Sequence, residues 1–179
     1  GRSAVFIGSK GSKFADELTA QQQQTDTQTR RLDELLSGFS SSALGAEFVA
    51  ALDEAVKALA ELPAKRTSIR SLSIAGPDST ACFTATIGKL LQVDVKLSQI
   101  VSEHRIARAM AAYVNFLQAK EQTGIERAVM ATVFSNDKFQ GEALTRFNRA
   151  VASQETFMNV FRNSATQEQL ALYTEIVRG

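Results

Sequence analysis

Apolar residues recur along this chain three and four positions apart, and no segment alternates apolar and polar residues as a half-buried strand would. A first cluster, Ala4 to Ile7, stops at Gly8-Ser9-Lys10-Gly11-Ser12, a helix end followed by a turn. Phe14 and Leu18, then Leu32, Leu35 and Leu36, mark a long helix over about 13–37. Its middle is the polar run Gln21-Gln22-Gln23-Gln24-Thr25-Asp26, which reads foremost as a solvated face, with the lining of a hydrated interior as the alternative. Gly38-Phe39-Ser40-Ser41-Ser42 forms a loop with Ser42 as N-cap, and Leu44, Phe48, Leu52, Val56 and Leu59 then define a helix over about 43–62.

Pro63 interrupts that helix, and a shorter one carrying Ile69 and Leu72 is expected over about 64–74. Ala75-Gly76-Pro77-Asp78 is the firmest break, with Asp78 or Ser79 capping the next helix. Phe83, Ile87, Leu90, Leu91, Leu97 and Ile100 mark that helix, and Ser102 caps another over about 103–134. The apolar seam of the latter is assigned to Ile106, Met110, Tyr113, Leu117, Gly124, Ala128 and Ala131. After a turn at Ser135-Asn136-Asp137 come Phe139, Leu144, Phe147, Val151, Phe157 and Phe161 on one more helix. Thr166-Gln167-Glu168-Gln169 has the form of a capping box for a last segment ending near Arg178.

The pattern therefore predicts an all-α chain of antiparallel helical bundles, two packed or stacked modules joined near 75–78 within a single domain over 1–179. Composition agrees: 44% of residues are apolar, with two prolines and no tryptophan among 179 residues. Twenty cations against 19 carboxylates give a net charge of +1, so no nucleic-acid partner is expected from charge. Cys82 is the only cysteine, which excludes an intramolecular disulfide, and His104 the only histidine, which removes most imidazole metal sites and histidine-centred triads. No cofactor is implied. No apolar run reaches the roughly 18 residues of a membrane span. Gly1-Arg2-Ser3-Ala4 reads as the interior of a helix, so the chain is expected to be truncated at both ends, with any membrane anchor of the parent protein outside it.

Catalysis finds little support. A di-iron bundle needs Glu-x-x-His pairs, and here Glu103 simply precedes His104. Glycine-rich phosphate loops, Cys-x-x-Cys pairs and nucleophile elbows are missing from the sequence. Asp16-Glu17 and Asp33-Glu34 are adjacent carboxylates that point about 100° apart on a helix. They read as surface charge, and the chain as a non-enzyme.

One stretch does suggest chemistry. Lys120, Gly124 and Arg127 stand one turn apart on a single helix face, two cations around a position without a side chain. Two readings remain open: cations at the edge of an apolar stripe, with Arg127 paired to a carboxylate such as Asp137, or capture of a small anion. The planar guanidinium suits a planar oxyanion, Lys120 adds a point charge, and Gly124 leaves room. The two ends of the chain also echo one another. Phe14 lies twelve residues after Arg2, and Phe139 twelve after Arg127 in Asp137-Lys138-Phe139. If this is an internal repeat of helical hairpins, Arg2 and Arg127 face one shared cavity.

The segment Lys120-Glu121-x-x-Gly124-x-Glu126-Arg127-Ala128 resembles the nitrate- and nitrite-sensing (NIT) domain of bacterial receptors. Gly1-x-Ser3-Ala4, Gly8-Ser9-Lys10-Gly11 and Thr25-Asp26 are similar to its N-terminal portion, whose Glu-Arg-Gly motif would place an arginine just before Gly1. The resemblance implies an all-helical sensor of nitrate or nitrite with Arg127 in the anion site; Lys120 and Gly124 join it by helical spacing, and Arg2, a neighbour of the missing arginine and not its equivalent, through the repeat. It further implies a homodimeric, periplasmic domain of a transmembrane chemoreceptor that signals by helix repacking. The alternatives are a helical scaffold without a small ligand, or a sensor of another ligand such as an organic acid.

Overall fold

A computed structural model of the chain describes residues 1–136, 139 and 141–177. These form α1 (Arg2–Gly8), α2 (Ala15–Ser37), a single 3-10 turn (Ser41–Leu44), α3 (Ala46–Ala60), α4 (Leu62–Arg70), α5 (Gly76–Ile100), α6 (His104–Asn136), α7 (Glu142–Ser164) and α8 (Gln167–Val177). The fold is all-α, with no strand among the described residues.

Backbone chemistry sets most of the boundaries. After α1 the chain reverses through Lys10 and Gly11, both at positive φ (53° and 85°), while the Gly11 amide donates to the Phe6 carbonyl at 2.8 Å. Phe14, at φ 64°, is held outside helical space, so α2 begins at Ala15. The expected Ser42 cap is not used. Gly45 has φ 87°, which interrupts the helical path and delays α3 until Ala46. Pro63 sits in the first turn of α4, where its missing N–H costs nothing. That helix ends at Arg70 rather than near residue 74, because Leu72 takes a left-handed φ of 57°.

Asp78 and Ser79 do not cap α5 either. The helix starts at Gly76, with Ala75 as N-cap three residues before Asp78 and Pro77 in the first turn, and Ser79 is drawn inward. The Thr166 capping box forms as expected: the Gln169 amide donates to Thr166 Oγ1 at 3.2 Å, and the Thr166 amide to Gln169 Oε1 at 3.0 Å. His104 opens α6 as an exposed residue. The turn expected at Ser135-Asn136-Asp137 is overturned at its first two residues, which are still helical, while Asp137, Lys138 of the repeat and Arg178 lie outside the described residues. The helical backbone itself runs to Asn136.

The long helix α6 unites the molecule. Its first half packs with α7 and α8 around Ala112, Phe161 and Ala165, against which Phe116, Met158, Leu170 and Tyr173 close. Phe116, Phe161 and Tyr173 form a triangle of rings with centroids 5.3–6.0 Å apart, a spacing at which aromatic rings attract beyond their burial. Its second half packs on α1 and α5, burying Ala128. The seam read from periodicity is therefore corrected at its start. Ile106 and Tyr113 are about half exposed (50% and 52%), whereas Ala112 and Ala119 are buried. A helix serving different neighbours along its length does not keep one straight stripe.

Two close approaches fix α1. A Cβ on Gly76 would lie 3.4 Å from the Ala4 carbonyl oxygen, so α5 meets the backbone of α1 there. One turn on, the buried Ser79 hydroxyl donates to the hydroxyl of buried Ser3 at 3.0 Å. α2 is different in kind: it packs chiefly on α1 and buries none of its 23 residues.

Candidate functional site

Helices α1, α2, α4, α5 and α6, with the end of α3, surround a cavity of about 640 Å³. Arg2 and Ser3 enter it from α1; Gln21, Gln22 and Thr25 from α2; Arg66 from α4; Phe83, Thr86 and Ile87 from α5; and Gly124, Arg127 and Ala128 from α6. A second space of about 440 Å³ adjoins it, lined by Lys120, Glu121, Gly124 and Arg127 of α6 and by Thr80, Phe83 and Thr84 of α5. Gly1, Phe83, Ile87, Gly124, Arg127 and Ala128 border both spaces.

The residues singled out in the sequence thus converge, though not all on one volume. Arg127 and Gly124 stand between the two spaces, Arg2 joins them in the larger, and Lys120 in the smaller. Arg2, Lys120 and Arg127 are all exposed at the rims. Among the described residues none of the three makes an ion pair; the pairs present are Arg66–Asp26, Lys89–Glu54 and Lys96–Glu47. Asp137, the carboxylate that spacing offered to Arg127, lies outside the described residues.

The electrostatics follow from this placement. The guanidinium groups of Arg2 and Arg127 border one cavity, where their charge favours an anion. Glu121 is held above the usual carboxylate range by burial. Its negative charge is therefore the costly member of the smaller space. A Cβ added to Gly124 would meet only Glu121 Oε2, at 3.7 Å, so the space beside this glycine is open.

Several lining residues were missed in the sequence. The polar run of α2 lines the cavity through Gln21, Gln22 and Thr25, which favours the alternative of a hydrated interior over the solvated face put foremost. Its spacing from Leu18, another lining residue, is the helical three, four and seven positions, and that was the available signal. Arg66 carried no signal, because nothing local announces that α4 will face α2. Among the described residues there is no group of histidine, cysteine and carboxylate side chains able to hold a metal ion.

Two relatives set this geometry in context. The nitrate regulatory protein of Klebsiella oxytoca is 29% identical over 175 residues, spanning 98% of this chain and 44% of the relative. The solved structure of the NasR transcription antiterminator superposes with a TM-score of 0.92 at 28% identity, covering 99% of this chain and 48% of that one. The chain therefore spans less than half the length of either relative.

These likenesses overturn part of the expectation. The relatives are a nitrate regulatory protein and a transcription antiterminator, neither of them a chemoreceptor, so the reading as a periplasmic domain of a transmembrane chemoreceptor is withdrawn. Among the described residues no helix is long and apolar enough to cross a membrane. The membrane-anchored parent loses its support, and so does the exclusion of nucleic acid as a partner, since the solved relative acts in transcription. The relatives are regulators, in line with the non-enzymatic reading. The sensor family itself stands: the sequence profile for nitrate and nitrite sensing, NIT, matches residues 1–179, and the chain belongs to that family.

Proposed function

We infer that this chain is the anion-sensing part of a regulatory protein, a single ligand-binding unit that takes nitrate or nitrite into the cavity between α1, α2, α4, α5 and α6. One observation carries the reading. Arg2 and Arg127, from opposite ends of the sequence, line the same cavity, and neither has an ion-pair partner among the described residues. Guanidinium groups offer paired N–H donors that match a planar oxyanion, and Phe83 and Ile87 supply apolar wall beside them. Lys120 contributes charge from the adjoining space, and Gly124 keeps the way between the two spaces open.

Binding becomes a signal if the anion is held better in one helix packing than in another. An anion between Arg2 and Arg127 relieves their mutual repulsion and draws α1 towards α6. With 33 residues at about 1.5 Å rise, α6 is roughly 50 Å long and joins the cavity region to the end that meets α8. It is the element that would carry the change, in a homodimer of such chains, to whatever the sensor controls.

Isothermal titration with nitrate, nitrite and small carboxylates tests the reading. Heat with nitrate or nitrite, lost in Arg127→Ala, is the expected result. Normal binding by Arg127→Ala removes the site assignment, and no heat with any of these anions returns the chain to a helical scaffold. A second reading, a sensor of an organic acid, is favoured by the volume of about 640 Å³ and its walls of Phe83, Ile87 and Leu90. Tighter binding of a carboxylate than of nitrate in the same titration would establish it.

A further inference from the structure

We propose that Arg66 is a third anion-binding cation of the larger cavity, and that its pairing with Asp26 makes α2 a latch that the ligand releases. The inference rests on reading that cavity as an anion site. Arg66 lines it together with Arg2 and Arg127, yet of the three it alone has a carboxylate partner among the described residues. The partners are unequally placed. The Arg66 side chain is only 14% exposed, facing inward, while that of Asp26 is 52% exposed on α2.

α2 has little else to hold it on this side. None of its residues is buried, and its side-chain bonds to α4 are polar: the Arg66–Asp26 contact, and Arg70 Nη2 donating to Gln22 Oε1 at 3.2 Å. Positions 22 and 26, like 66 and 70, are four apart, so one face of α2 meets one face of α4 through these two ties. Gln22 is itself a cavity residue, which places the seam between the helices at the cavity wall.

An ion pair with one half-exposed member is weak and replaceable. A guanidinium has five N–H donors, so Arg66 can begin to bind an entering oxyanion before it leaves Asp26. The new negative charge then repels the Asp26 carboxylate, and the bond between α4 and α2 loosens as the anion is gripped. Linkage requires the converse: whatever holds Arg66 on Asp26 weakens anion binding by the same factor.

The test is nitrate titration of the whole chain and its variants, with hydrogen exchange read over residues 15–37. Arg66→Gln is expected to weaken nitrate binding about tenfold, and Asp26→Asn to tighten it about fivefold, within the usual range of coupling between sites. In the Arg66→Gln background, Asp26→Asn is expected to change nothing, and in the unmodified chain nitrate is expected to speed exchange in α2. Unchanged affinity in a folded Arg66→Gln overturns the latch while the cavity stands, as does equal tightening by Asp26→Asn with or without Arg66, the mark of plain charge repulsion. Should Arg66→Gln fail to fold, Asp26→Asn alone decides: no change in affinity and no change in α2 exchange overturn the proposal. If Arg2→Ala and Arg127→Ala both bind nitrate normally, or if the unmodified chain binds none, the cavity reading itself fails and takes the latch with it.

Discussion

The hydroxyl of Ser79 in α5 donates to that of Ser3 in α1 at 3.0 Å, and both residues are buried. Arg2 precedes Ser3, so this bond sets where the first guanidinium enters the cavity. Ser3→Ala leaves the Ser79 donor buried without its partner and is expected to cost about 1–3 kcal/mol in urea unfolding. The double variant Ser3→Ala/Ser79→Ala removes donor and acceptor together and should recover most of that loss. A double variant no more stable than the single one would show that the pair is not the tie holding α1.

Helix content was legible because burial on one side writes itself into spacing, as at Phe48, Leu52 and Leu59, although Val56 of the same series is exposed and Leu44 falls in the 3-10 turn. The Thr166 capping box was legible for the same local reason, its donors and acceptors lying three residues apart. Boundaries failed where backbone conformation decided them: φ is 64° at Phe14 and 57° at Leu72, a left-handed turn that no propensity of either residue announces. The site was half legible. Arg127, Lys120 and Gly124 are neighbours on one helix and could be grouped by spacing, and the echo between chain ends reached Arg2. Arg66 and Gln22 join only through α4 meeting α2, a tertiary event with no local trace.

Gly124 sits inside α6, where glycine weakens a helix relative to alanine by roughly 0.5–1 kcal/mol. The nearest atom to an added Cβ is Glu121 Oε2 at 3.7 Å, an ordinary contact, so Gly124→Ala should fit. It is expected to raise the stability of the chain by about that 0.5–1 kcal/mol in thermal or urea unfolding. It should at the same time weaken nitrate binding, because the methyl group occupies the opening between the two spaces. A variant that gains stability and keeps full affinity would show that the glycine is not there for the anion.

Arg127→Lys separates charge from shape. The substitution keeps a cation at the rim but replaces a planar fork of donors with a single ammonium. Hydrogen bonds to charged groups contribute about 1.5–3 kcal/mol each. Losing one of them is expected to weaken nitrate binding by roughly ten- to a hundredfold, at about 1.4 kcal/mol per tenfold. Titration calorimetry at fixed ionic strength reads this directly. Full retention of affinity would mean that the site senses only charge, and the match to a planar oxyanion would lose its basis.

Glu121 gives the cavity a pH dependence whose sign can be worked out. Burial holds its carboxyl above the usual carboxylate range, so the folded protein prefers it protonated more than the unfolded chain does. The charged form therefore costs stability above the folded-state value, and the cost disappears as pH falls below the unfolded value, about 4. Glu121→Gln should be more stable than the unmodified chain at pH 7, with the gain fading as pH approaches 4. The same protonation removes a negative charge from beside Lys120 and Arg127. Nitrate stays ionised across this range, so its affinity should rise as pH falls through the Glu121 transition, and Glu121→Gln should flatten that rise. Asp94 is a useful control: burial also pushes its carboxyl up, but it lines neither space. Asp94→Asn should stabilise the fold at pH 7 and leave the pH dependence of nitrate binding unaltered. If Asp94→Asn flattens the affinity profile and Glu121→Gln does not, the carboxylate that opposes the anion is not in the cavity described here.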